Sequence, residues 1–427
     1  MAHNHQQRPS GPPPPEPYEG PPALPLECPP GDDYPIELFS LLESEEMMRK
    51  HGFVMEPLTM ADLKGKARCK DCNQSMFNLT KDLRRQQKLR RANPIPPPPK
   101  RSWDPFPTIL MPKGKGRYDS TECALPSRDH GPGYEGKSNI GKEMSLATNC
   151  IQCFTCCHVH VTEAKPCVNS HVHELRNYAP GELIRIHQYH YTPAVHTKSL
   201  EFRAAVAIDC EMGTAISGDS ELIRLTAIDY LTGEVLINNL VQPDQHMLHL
   251  NTKFSGVTFL QLNEAKRKKT SLRGKAGARE ALWRFVGPHT ALVGHGLNND
   301  LRALKWIHPT VIDSYMVEHR IVQTKKKADK EAAEAAAAAT TETSAEDLAE
   351  QILDLELSPQ IESQPKQKRT KGTGDLALKT LMKKYINRDI QTQGNKGHDS
   401  FEDALAARDL VHWMVLRRLA EKEALAV

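Results

Sequence analysis

The chain lacks any long apolar run. No stretch approaches about 18 consecutive apolar residues, and the first residues have no apolar core of the kind found in secretory signals. We therefore expect neither a secretory signal nor a membrane span, and predict a soluble intracellular protein. Charge of one sign is also lacking, since 56 Lys and Arg face 53 Asp and Glu for a net charge of +3. Attraction to nucleic acid must therefore come from local patches rather than from the field of the whole molecule.

Apolar residues are sparse for a chain of this length. The 427 residues leave room for two or three domains, but an apolar fraction of 39% and 31 prolines indicate that much of the chain has no core. Residues 1–35 are proline-rich and predicted to be disordered. Residues 321–372 form a helix-prone, low-complexity insertion. Its basic runs KKK and KQKR favour a nuclear location, with the cytoplasm as the alternative.

Two carboxylates follow a predicted buried strand in AVAIDCEMG, residues 205–213. Residues two apart in a strand point to the same face, so Asp209 and Glu211 converge while Cys210 turns into the core. Convergent carboxylates repel one another unless a cation lies between them. Mg²⁺ and Mn²⁺ prefer oxygen ligands and are the expected ions. An isolated Asp-x-Glu is more often the polar end of a strand, so the prediction depends on the motifs that follow.

Three further residues complete the set. Asp300 follows the apolar stretch ALVG and opens a helical run, where it could instead serve the helix dipole. His398 precedes a helix whose N-cap is Asp399 or Ser400, and Asp403 lies on the first turn of that helix. A loop histidine titrates near neutrality, as a general base must. We expect these side chains to face one pocket.

The set resembles the catalytic residues of a known family. Asp209, Glu211, Asp300, His398 and Asp403 match, residue by residue, the five active-site positions of the DEDDh 3′→5′ exonucleases, which have a ribonuclease H-like fold. The surrounding sequence, including AIDCEM, ALVGHGLNNDLRALKWIHPTVIDS and GHDSFEDALAARDLV, resembles the Rex-type branch of eukaryotic RNA exonucleases. The resemblance covers residues 203–320 and 373–420. It departs from the family at the insertion and at Gly296, neither of which touches a catalytic position.

The predicted fold is an α/β domain with a five-stranded mixed sheet flanked by helices. The predicted strands are AVAID, ELIRLTAIDY, GEVLINNLV, TALVGHG and TVIDSYMV. The predicted helices lie around residues 258–286, 297–306, 375–386 and 400–419, and IELFSLLESEEMMRKHG is predicted to form one amphipathic helix that ends at Gly52.

The resemblance also implies a mechanism with two Mg²⁺ or Mn²⁺ ions. Asp209 would bridge both ions, Glu211 and Asp403 would complete the site of the attacking water, and Asp300 would support the second ion through water. His398 would take the proton from the attacking water, and the products would be nucleoside 5′-monophosphates. The implied partner is RNA with a free 3′ end.

Four residues are predicted to bind the substrate. A single-stranded end is usually held by stacking, which favours Met212 and the Phe254-Ser255-Gly256 turn, together with His295. For Phe254, a place in the core is an equally good interpretation.

Ten cysteines are present, and most lie between positions 69 and 167. Without secretion, disulfides are not expected and metal is the natural alternative. We predict one or two structural Zn²⁺ ions, because the segment resembles the Cys/His module that precedes the exonuclease domain in fungal Rex-type proteins. The candidate ligands are Cys69, Cys72, Cys123, His130, Cys156, Cys157, Cys167 and His171, with His173 as the alternative to His171. Reduced cysteines in a small core are the other interpretation.

The sequence thus predicts four parts: a tail (1–35), a helix with a Cys/His-rich region and a basic linker (36–200), an exonuclease domain (201–320 and 373–420) and the insertion. The predicted function is a metal-dependent 3′→5′ exoribonuclease. One alternative is a DNA exonuclease of the same family, because the catalytic residues do not read the sugar. The other is a zinc-dependent adaptor that binds RNA or protein and carries a relic nuclease domain. The complete catalytic set favours the enzyme.

Overall fold

A computed structural model describes most of the chain outside its low-complexity segments. The described residues are 24–31, 33–70, 73–81, 84, 173–194, 202–340, 374–392, 394 and 397–426, with the backbone alone for 336–340, for 426 and for four short strands between 123 and 170.

The strands are short except for three at the centre. In chain order they are β1 (Cys123–Leu125), β2 (Pro132–Gly133), β3 (Cys153–Phe154), β4 (Val168–Ser170), β5 (His190–Tyr191), β6 (Ala205–Ala215), β7 (Ser220–Asp229), β8 (Val235–Gln242), β9 (Met247–His249), β10 (Leu272–Arg273), β11 (Ala291–Gly294), β12 (Trp306–Ile307) and β13 (Val311–Asp313).

The helices lie on both faces of the main sheet. In chain order they are α1 (Asp33–Ser40), α2 (Glu45–Lys50), α3 (Met60–Lys66), α4 (Glu182–Ile186), α5 (Thr252–Ser255), α6 (Phe259–Lys268), α7 (Gly274–Leu282), α8 (Asn298–Leu304), α9 (Ser314–Thr340), α10 (Leu378–Ile386) and α11 (Ser400–Ala426). None of the helices in the described residues is both long and apolar enough to cross a membrane.

The main sheet is mixed and has the order β10-β8-β7-β6-β11-β13, with β9 paired to the far end of β6. Strands β6, β7 and β8 form an antiparallel meander, whereas β11 pairs in parallel with both β6 and β13. The predicted mixed α/β sheet flanked by helices is therefore confirmed. The predicted number of five strands was too low, because β9 and β10 are two- or three-residue strands whose short sequences carry no periodic signal.

Two predicted boundaries were wrong for local reasons. The strand predicted as TVIDSYMV ends at Asp313, whose carboxylate accepts backbone N–H groups of Gly296 (2.8 Å), Leu297 (2.9 Å) and Tyr315 (3.0 Å) and so turns the chain into α9. The helix predicted over 258–286 is two helices, α6 and α7, with β10 between them. Lys269 ends α6 in the left-handed conformation (φ +60°), which stops the helix.

The single N-terminal helix predicted from Tyr34 to Gly52 is also two helices, α1 and α2. Ser44 caps α2 by accepting the backbone N–H of Met47 at 3.3 Å. The break lets the two helices reach opposite faces of the sheet. Tyr34 and Leu38 of α1 pack with α11, and Met48 of α2 packs with the core on the other face.

Strand β6 is the centre of both cores because its residues alternate between the two faces. Ala205 and Ala207 belong to the core beneath α11, α10 and α1. Val206, Ile208 and Cys210 belong to the core shared with α7, α8 and α2. This alternation decides where the next polar residues of the strand point.

Candidate active site

The first two carboxylates of the site lie on β6. Asp209 and Glu211 continue the face of Ala205 and Ala207, which α11 covers, while Cys210 lies in the opposite core. Opposite them in the antiparallel register lie Thr226 and Arg224 of β7. The register shifts directly after Glu211, as in a β-bulge, and such irregularities often re-aim side chains next to functional sites.

Asp300 reaches the site because β6 is longer than its parallel neighbour β11. The two strands pair only up to Val293 and Ala207, so among the described residues β11 offers no partner for the backbone N–H of Cys210. The carboxylate of Asp300 accepts this N–H at 3.0 Å. Asp300 is buried on the first turn of α8, which begins just after β11 ends.

Asp403 reaches the same place from the first turn of α11. The Asp399 side chain caps this helix by accepting the N–H of Phe401 at 3.1 Å. Ser400 is buried, and its hydroxyl lies 2.7 Å from the hydroxyl of Thr226 on β7. This bond ties the start of α11 to the sheet directly over the β6 carboxylates.

Asp209, Glu211 and Asp403 form a compact carboxylate cluster. Each offers a carboxylate oxygen, and these oxygens all lie within 4.8 Å of one another. Asp300 lies beside the cluster but outside that radius. Burial, followed by the charges of Asp300, Asp403 and Glu211, raises the pKa of Asp209 well above its usual range. Burial and Asp403 likewise raise the pKa of Glu211 to about 8, and burial raises that of Asp300 to about 7.

His398 lies at the open side of the cluster. Its Nδ1 is 3.6 Å from the Asp403 carboxylate, and 44% of its side chain is exposed to solvent. The interaction with Asp403 raises the pKa of His398. A half-exposed imidazole beside a buried carboxylate can exchange protons with water, as a general base requires.

A loop contact fixes the position of His398. Its backbone N–H donates to the carbonyl oxygen of Phe254 at 2.5 Å. The preceding Gly397 has φ +89°, and a Cβ there would collide with the backbone of Gly256. The two loops therefore approach at backbone distance, which only glycine permits.

Sequence reasoning missed two polar neighbours of the site. The guanidinium of Arg224 lies 3.4 Å from the Asp399 carboxylate and donates to Asn238 at 2.9 Å. The side-chain amide of Gln391 donates to Asp403 at 2.9 Å. Arg224 faces Glu211 only through strand pairing, and Gln391 precedes the helix by nine residues, so neither carried a sequence signal.

The four predicted substrate-binding residues differ in how accessible they are. Phe254 is 62% exposed beside His398. Met212 is half-buried and packs against the core that contains Cys210. Ser255 is buried, and its hydroxyl donates to the carbonyl oxygen of Leu250 at 2.7 Å. His295 is half-buried, with Nδ1 2.9 Å from the Ser314 hydroxyl, and burial lowers its pKa to about 4.

Among the zinc candidates, the structure describes the side chains of Cys69 and of His173, the alternative to His171. Cys69 is buried and begins a tight turn, in which Asn73 has φ +59° and donates its N–H to the carbonyl oxygen of Cys69 at 3.2 Å. The backbone that follows His173 lies next to this turn, because Leu175 pairs with Cys69 in an antiparallel bridge. For Cys123 the backbone alone is described. The other predicted ligands lie outside the described residues: Cys72, His130, Cys156, Cys157, Cys167 and His171.

The chain is similar in sequence to several proteins named as RNA exonucleases. It is 31% identical over 295 residues to RNA exonuclease 3 of Emericella nidulans, which covers 63% of this chain and 38% of that protein. It is 27% identical over 268 residues to RNA exonuclease 3 of Candida albicans, covering 62% and 52% of the two chains. A small RNA degrading nuclease 3 of Arabidopsis thaliana is 36% identical over 123 residues, covering 29% of this chain and 15% of that one. The chain therefore spans about half or less of the length of these relatives.

Other comparisons add less. No protein-family model matches the chain. The catalytic unit of Neurospora crassa Pan2, with its protease and nuclease domains, aligns with 55% of this chain and 31% of its own at 20% identity and a TM-score of 0.34. That score is too low to bear on the reaction. What the comparisons show is sequence similarity, over 63% of this chain in the Emericella match, to a protein named as an RNA exonuclease.

Proposed function

We propose that this protein is a metal-dependent 3′→5′ exoribonuclease of the DEDDh type. The observation that carries the proposal is the cluster of Asp209, Glu211 and Asp403 oxygens within 4.8 Å, with Asp300 and His398 beside it. Its residues come from three separate parts of the sequence and converge on one face of β6. The similarity to proteins named RNA exonuclease supports the same reaction class.

The donor set fits hard divalent cations. All the clustered groups are carboxylates, which Mg²⁺ and Mn²⁺ prefer over nitrogen and sulfur ligands. The raised pKa values of Asp209 and Glu211 mean that these two groups resist carrying their negative charges unless a cation compensates them. We therefore assign two Mg²⁺ or Mn²⁺ ions to Asp209, Glu211 and Asp403, with Asp300 as support. Such ions would acidify the attacking water and stabilise negative charge on the phosphodiester.

The chain's own residues then have separate tasks. His398 accepts the proton of the attacking water, because it is the half-exposed basic group next to the cluster. Asp300 holds β6 in place through the N–H of Cys210. Phe254 stacks on the terminal base, since its exposed ring lies beside His398 and its carbonyl oxygen holds the His398 backbone. Ser255 and Met212 shape this surface from within the protein.

Two alternatives remain testable. A DNA exonuclease would use the same carboxylates, because only contacts to the 2′-hydroxyl distinguish the sugars. An adaptor with a relic nuclease domain would tolerate the loss of a carboxylate. The short distances among Asp209, Glu211 and Asp403, with Asp300 and His398 beside them, support the enzyme instead. The names of the relatives favour RNA.

One assay separates these functions. Single-stranded RNA, single-stranded DNA and duplex RNA, labelled at the 5′ or the 3′ end, are incubated with Mg²⁺, Mn²⁺ or EDTA. We expect a 5′-labelled RNA to shorten stepwise and a 3′-labelled RNA to release labelled mononucleotide at once, with EDTA abolishing both. Faster hydrolysis of DNA than of RNA would show that the protein is a DNA exonuclease. If the purified protein hydrolyses none of these substrates, the adaptor with a relic nuclease domain is the function that the result supports.

The role of His398 needs a variant that keeps the ligands. His398→Ala should lose about 10²- to 10⁴-fold in kcat, the usual contribution of a general base. Metal binding, measured by calorimetry, should persist, because the carboxylate cluster is unchanged. His319→Ala is a matched control, since it removes another half-buried histidine that lies outside the carboxylate cluster. Wild-type activity in His398→Ala would remove His398 from the mechanism.

We further propose one or two structural Zn²⁺ ions in the Cys/His-rich region. The proposal is supported by the Cys-x₂-Cys spacing and by the turn that begins at Cys69, where Asn73 is left-handed and donates its N–H to the carbonyl oxygen of Cys69. Elemental analysis of protein kept reduced and purified without chelators should give about one or two zinc ions per chain. Less than about one zinc ion per chain would mean that these cysteines are packed, reduced thiols.

We also propose a nuclear location, which the cellular distribution of a fluorescent fusion protein would test.

A further inference from the structure

Gln391 lies in the segment between α10 and α11, and its hydrogen bonds converge on the candidate active site. Its side-chain Nε2 donates to Oδ1 of Asp403 at 2.9 Å. Its backbone N–H donates to Oε2 of Glu402 at 2.9 Å, and its carbonyl oxygen accepts Nζ of Lys379 at 3.2 Å. Two of these partners lie on the first turn of α11, and the third lies on α10. Gln391 therefore connects the two helices beside the carboxylate cluster.

The backbone of Gln391 is left-handed, with φ +55°. Glycine and asparagine adopt this region far more readily than glutamine does. The conformation is not that of a helix cap, because Asn387 ends α10 four residues earlier with its own φ of +55°. Residues held in this region are determined by the contacts around them, and they cluster at functional sites. For Gln391, the contacts are the three hydrogen bonds to α10 and α11.

The bond from Gln391 divides the two oxygens of the Asp403 carboxylate between two neighbours. Oδ1 accepts the amide of Gln391, and Oδ2 lies 3.6 Å from Nδ1 of His398. The terminal torsion of an aspartate side chain is broad, so a carboxylate without such a bond can rotate. The bond therefore restricts how the Asp403 oxygens face His398 and the carboxylates of Asp209 and Glu211, which lie within 4.8 Å.

An amide is suited to this task. An ionised carboxylate only accepts hydrogen bonds, so the NH₂ group of Gln391 is the part of the amide that faces Asp403. The amide carries no charge, and it orients the carboxylate without replacing a cation as its partner. In metal sites, hydrogen bonds of this kind orient the ligands, and removing them weakens metal binding or catalysis.

We propose that Gln391 is a positioning residue that holds Asp403 in the orientation in which Asp403 binds a divalent cation. This inference rests on the proposed function, which assigns Asp403 to that ion. The bonds to Glu402 and Lys379 hold the left-handed backbone in place, and the backbone directs the amide to Asp403. Gln391 acts through Asp403 and contacts neither the ion nor the RNA.

The first test is Gln391→Met, which keeps the length of the side chain and removes its donor. The affinity for Mn²⁺, measured by calorimetric titration with MnCl₂ in the absence of RNA, should fall about 10- to 100-fold. At one fixed Mg²⁺ concentration, kcat on single-stranded RNA should fall as well, while KM for the RNA changes by less than about twofold. Wild-type Mn²⁺ affinity in Gln391→Met would overturn the proposal.

A second variant, Gln391→Gly, separates the orientation of Asp403 from the stability of the loop. Glycine adopts φ +55° without strain, so Gln391→Gly should melt at a higher temperature than Gln391→Met. It also lacks the amide, so it should lose as much Mn²⁺ affinity as Gln391→Met. A merely structural role predicts the opposite, with affinity recovering as stability recovers. Wild-type affinity in Gln391→Gly would therefore also overturn the proposal.

Asn387→Gly is the matched control. Asn387 has the same φ of +55° and is exposed at the end of α10. Its replacement relieves backbone strain of the same kind and leaves the bond between Gln391 and Asp403 in place. Mn²⁺ affinity and kcat should equal those of the wild type. A loss of affinity in Asn387→Gly as large as in Gln391→Gly would show that loop conformation, and not the amide, controls the site.

The inference can fail separately from the proposed function. If the wild type binds Mn²⁺ but hydrolyses no RNA, the proposed function fails, and a loss of Mn²⁺ affinity in both Gln391 variants still supports the positioning of Asp403. If the wild type hydrolyses RNA and the Gln391 variants bind Mn²⁺ as tightly as it does, the inference alone fails. A wild type that binds neither Mn²⁺ nor Mg²⁺ would overturn the inference, because Asp403 would then hold no ion.

Discussion

At the scale of single residues, consecutive side chains of β6 alternate between the candidate active site and the core. Asp209 and Glu211 face α11, while Cys210 between them lies in the core of the opposite face. Cys210 still contributes to the site, but through its backbone N–H, which the Asp300 carboxylate accepts at 3.0 Å. The role of each side chain thus follows from the face of the sheet to which its position in the strand directs it.

We expect Asp209→Asn to abolish hydrolysis, by about a thousandfold or more, because it removes a carboxylate from the proposed ion site. The melting temperature without metal should be unchanged or higher, since the substitution relieves repulsion among buried carboxylates. Asp313→Asn is the matched control: its carboxylate accepts three backbone N–H groups, so that variant should lose stability. Calorimetry measures the melting temperatures, and a turnover assay measures hydrolysis. Wild-type turnover in Asp209→Asn would contradict the assignment of Asp209 as a metal ligand.

Replacing Cys210 by Ala should affect packing and leave the chemistry nearly intact. The variant keeps the N–H that Asp300 accepts and loses only a buried sulfur. We expect a loss of about 1–2 kcal/mol in the free energy of unfolding and activity within about twofold of wild type. Denaturant titration measures the first quantity and the RNA assay the second. A loss of metal affinity would show instead that the thiol takes part in the site.

At the scale of elements, the active site depends on two loops that touch through their backbones. The loop before α11 carries His398, whose N–H donates to Phe254 in the loop that contains α5. Gly397 and Gly256 meet where a side chain would not fit. Misplacement of a catalytic group by about 1 Å can cost about a hundredfold in rate, so this contact bears directly on catalysis.

Gly397→Ala should therefore reduce kcat by about tenfold or more. Gly394→Ala is the control, because Gly394 also has a positive φ (+60°) but has open space around its Cα. Both variants should incur a similar backbone strain of about 1–2 kcal/mol, and only Gly397→Ala separates the loops. The comparison needs kcat and melting temperature for both. Equal kcat values would show that the loop contact is not required.

At the scale of the whole molecule, the segment before the sheet is part of the folded body. Met48 and Phe53 belong to the same core as Val206 and Ile208 of β6. The hydroxyl of Tyr34, on α1, lies 2.9 Å from the hydroxyl of Tyr230, on the other face. The described N-terminal helices therefore cover both faces of the sheet rather than forming a body of their own.

Met48→Ala should lower the free energy of unfolding by about 2–4 kcal/mol, because it opens a cavity in the core beneath β6. Met60→Ala is the control, since Met60 is 63% exposed and should change stability by less than about 0.5 kcal/mol. Denaturant unfolding followed by fluorescence measures both. A Met48→Ala variant as stable as the parent would show that α2 packs only loosely against the sheet.

Stability should also depend on pH through His308. This residue is buried between Thr192 (2.7 Å) and the carbonyl oxygen of Thr290 (2.8 Å), and burial lowers its pKa from 6.5 to about 4. The fold favours the neutral imidazole, so its contribution is complete above pH 6.5 and is lost as the pH falls towards 4. The difference in unfolding free energy between wild type and His308→Gln should therefore shrink over that range. Parallel pH profiles of the two proteins would contradict this.

The sequence by itself determined the mixed α/β class and the central strand, and it predicted the three clustered carboxylates together with Asp300 and His398, which lie beside them. Period-two alternation assigned the faces of β6, and an acidic residue on a helix start predicted both Asp300 and Asp403. These signals are local, because each depends on residues within one or two turns or strand positions. Very short strands and helix breaks have weaker signals in the sequence. The strands β9 and β10 were therefore missed, and α1 and α2 were predicted as one helix.

Only the tertiary structure decided which residues support the site. Arg224 and Gln391 lie at the carboxylates because of strand register and loop packing, and Asp300 bonds to Cys210 because β11 ends before β6 does. The hydroxyls of Thr226 and Ser400 lie 2.7 Å apart although 174 positions of sequence separate them, and no local pattern predicts such a contact. The physical reason is that pairing, burial and charge accumulation act between residues that are close in space, whereas periodicity and spacing act only along the chain.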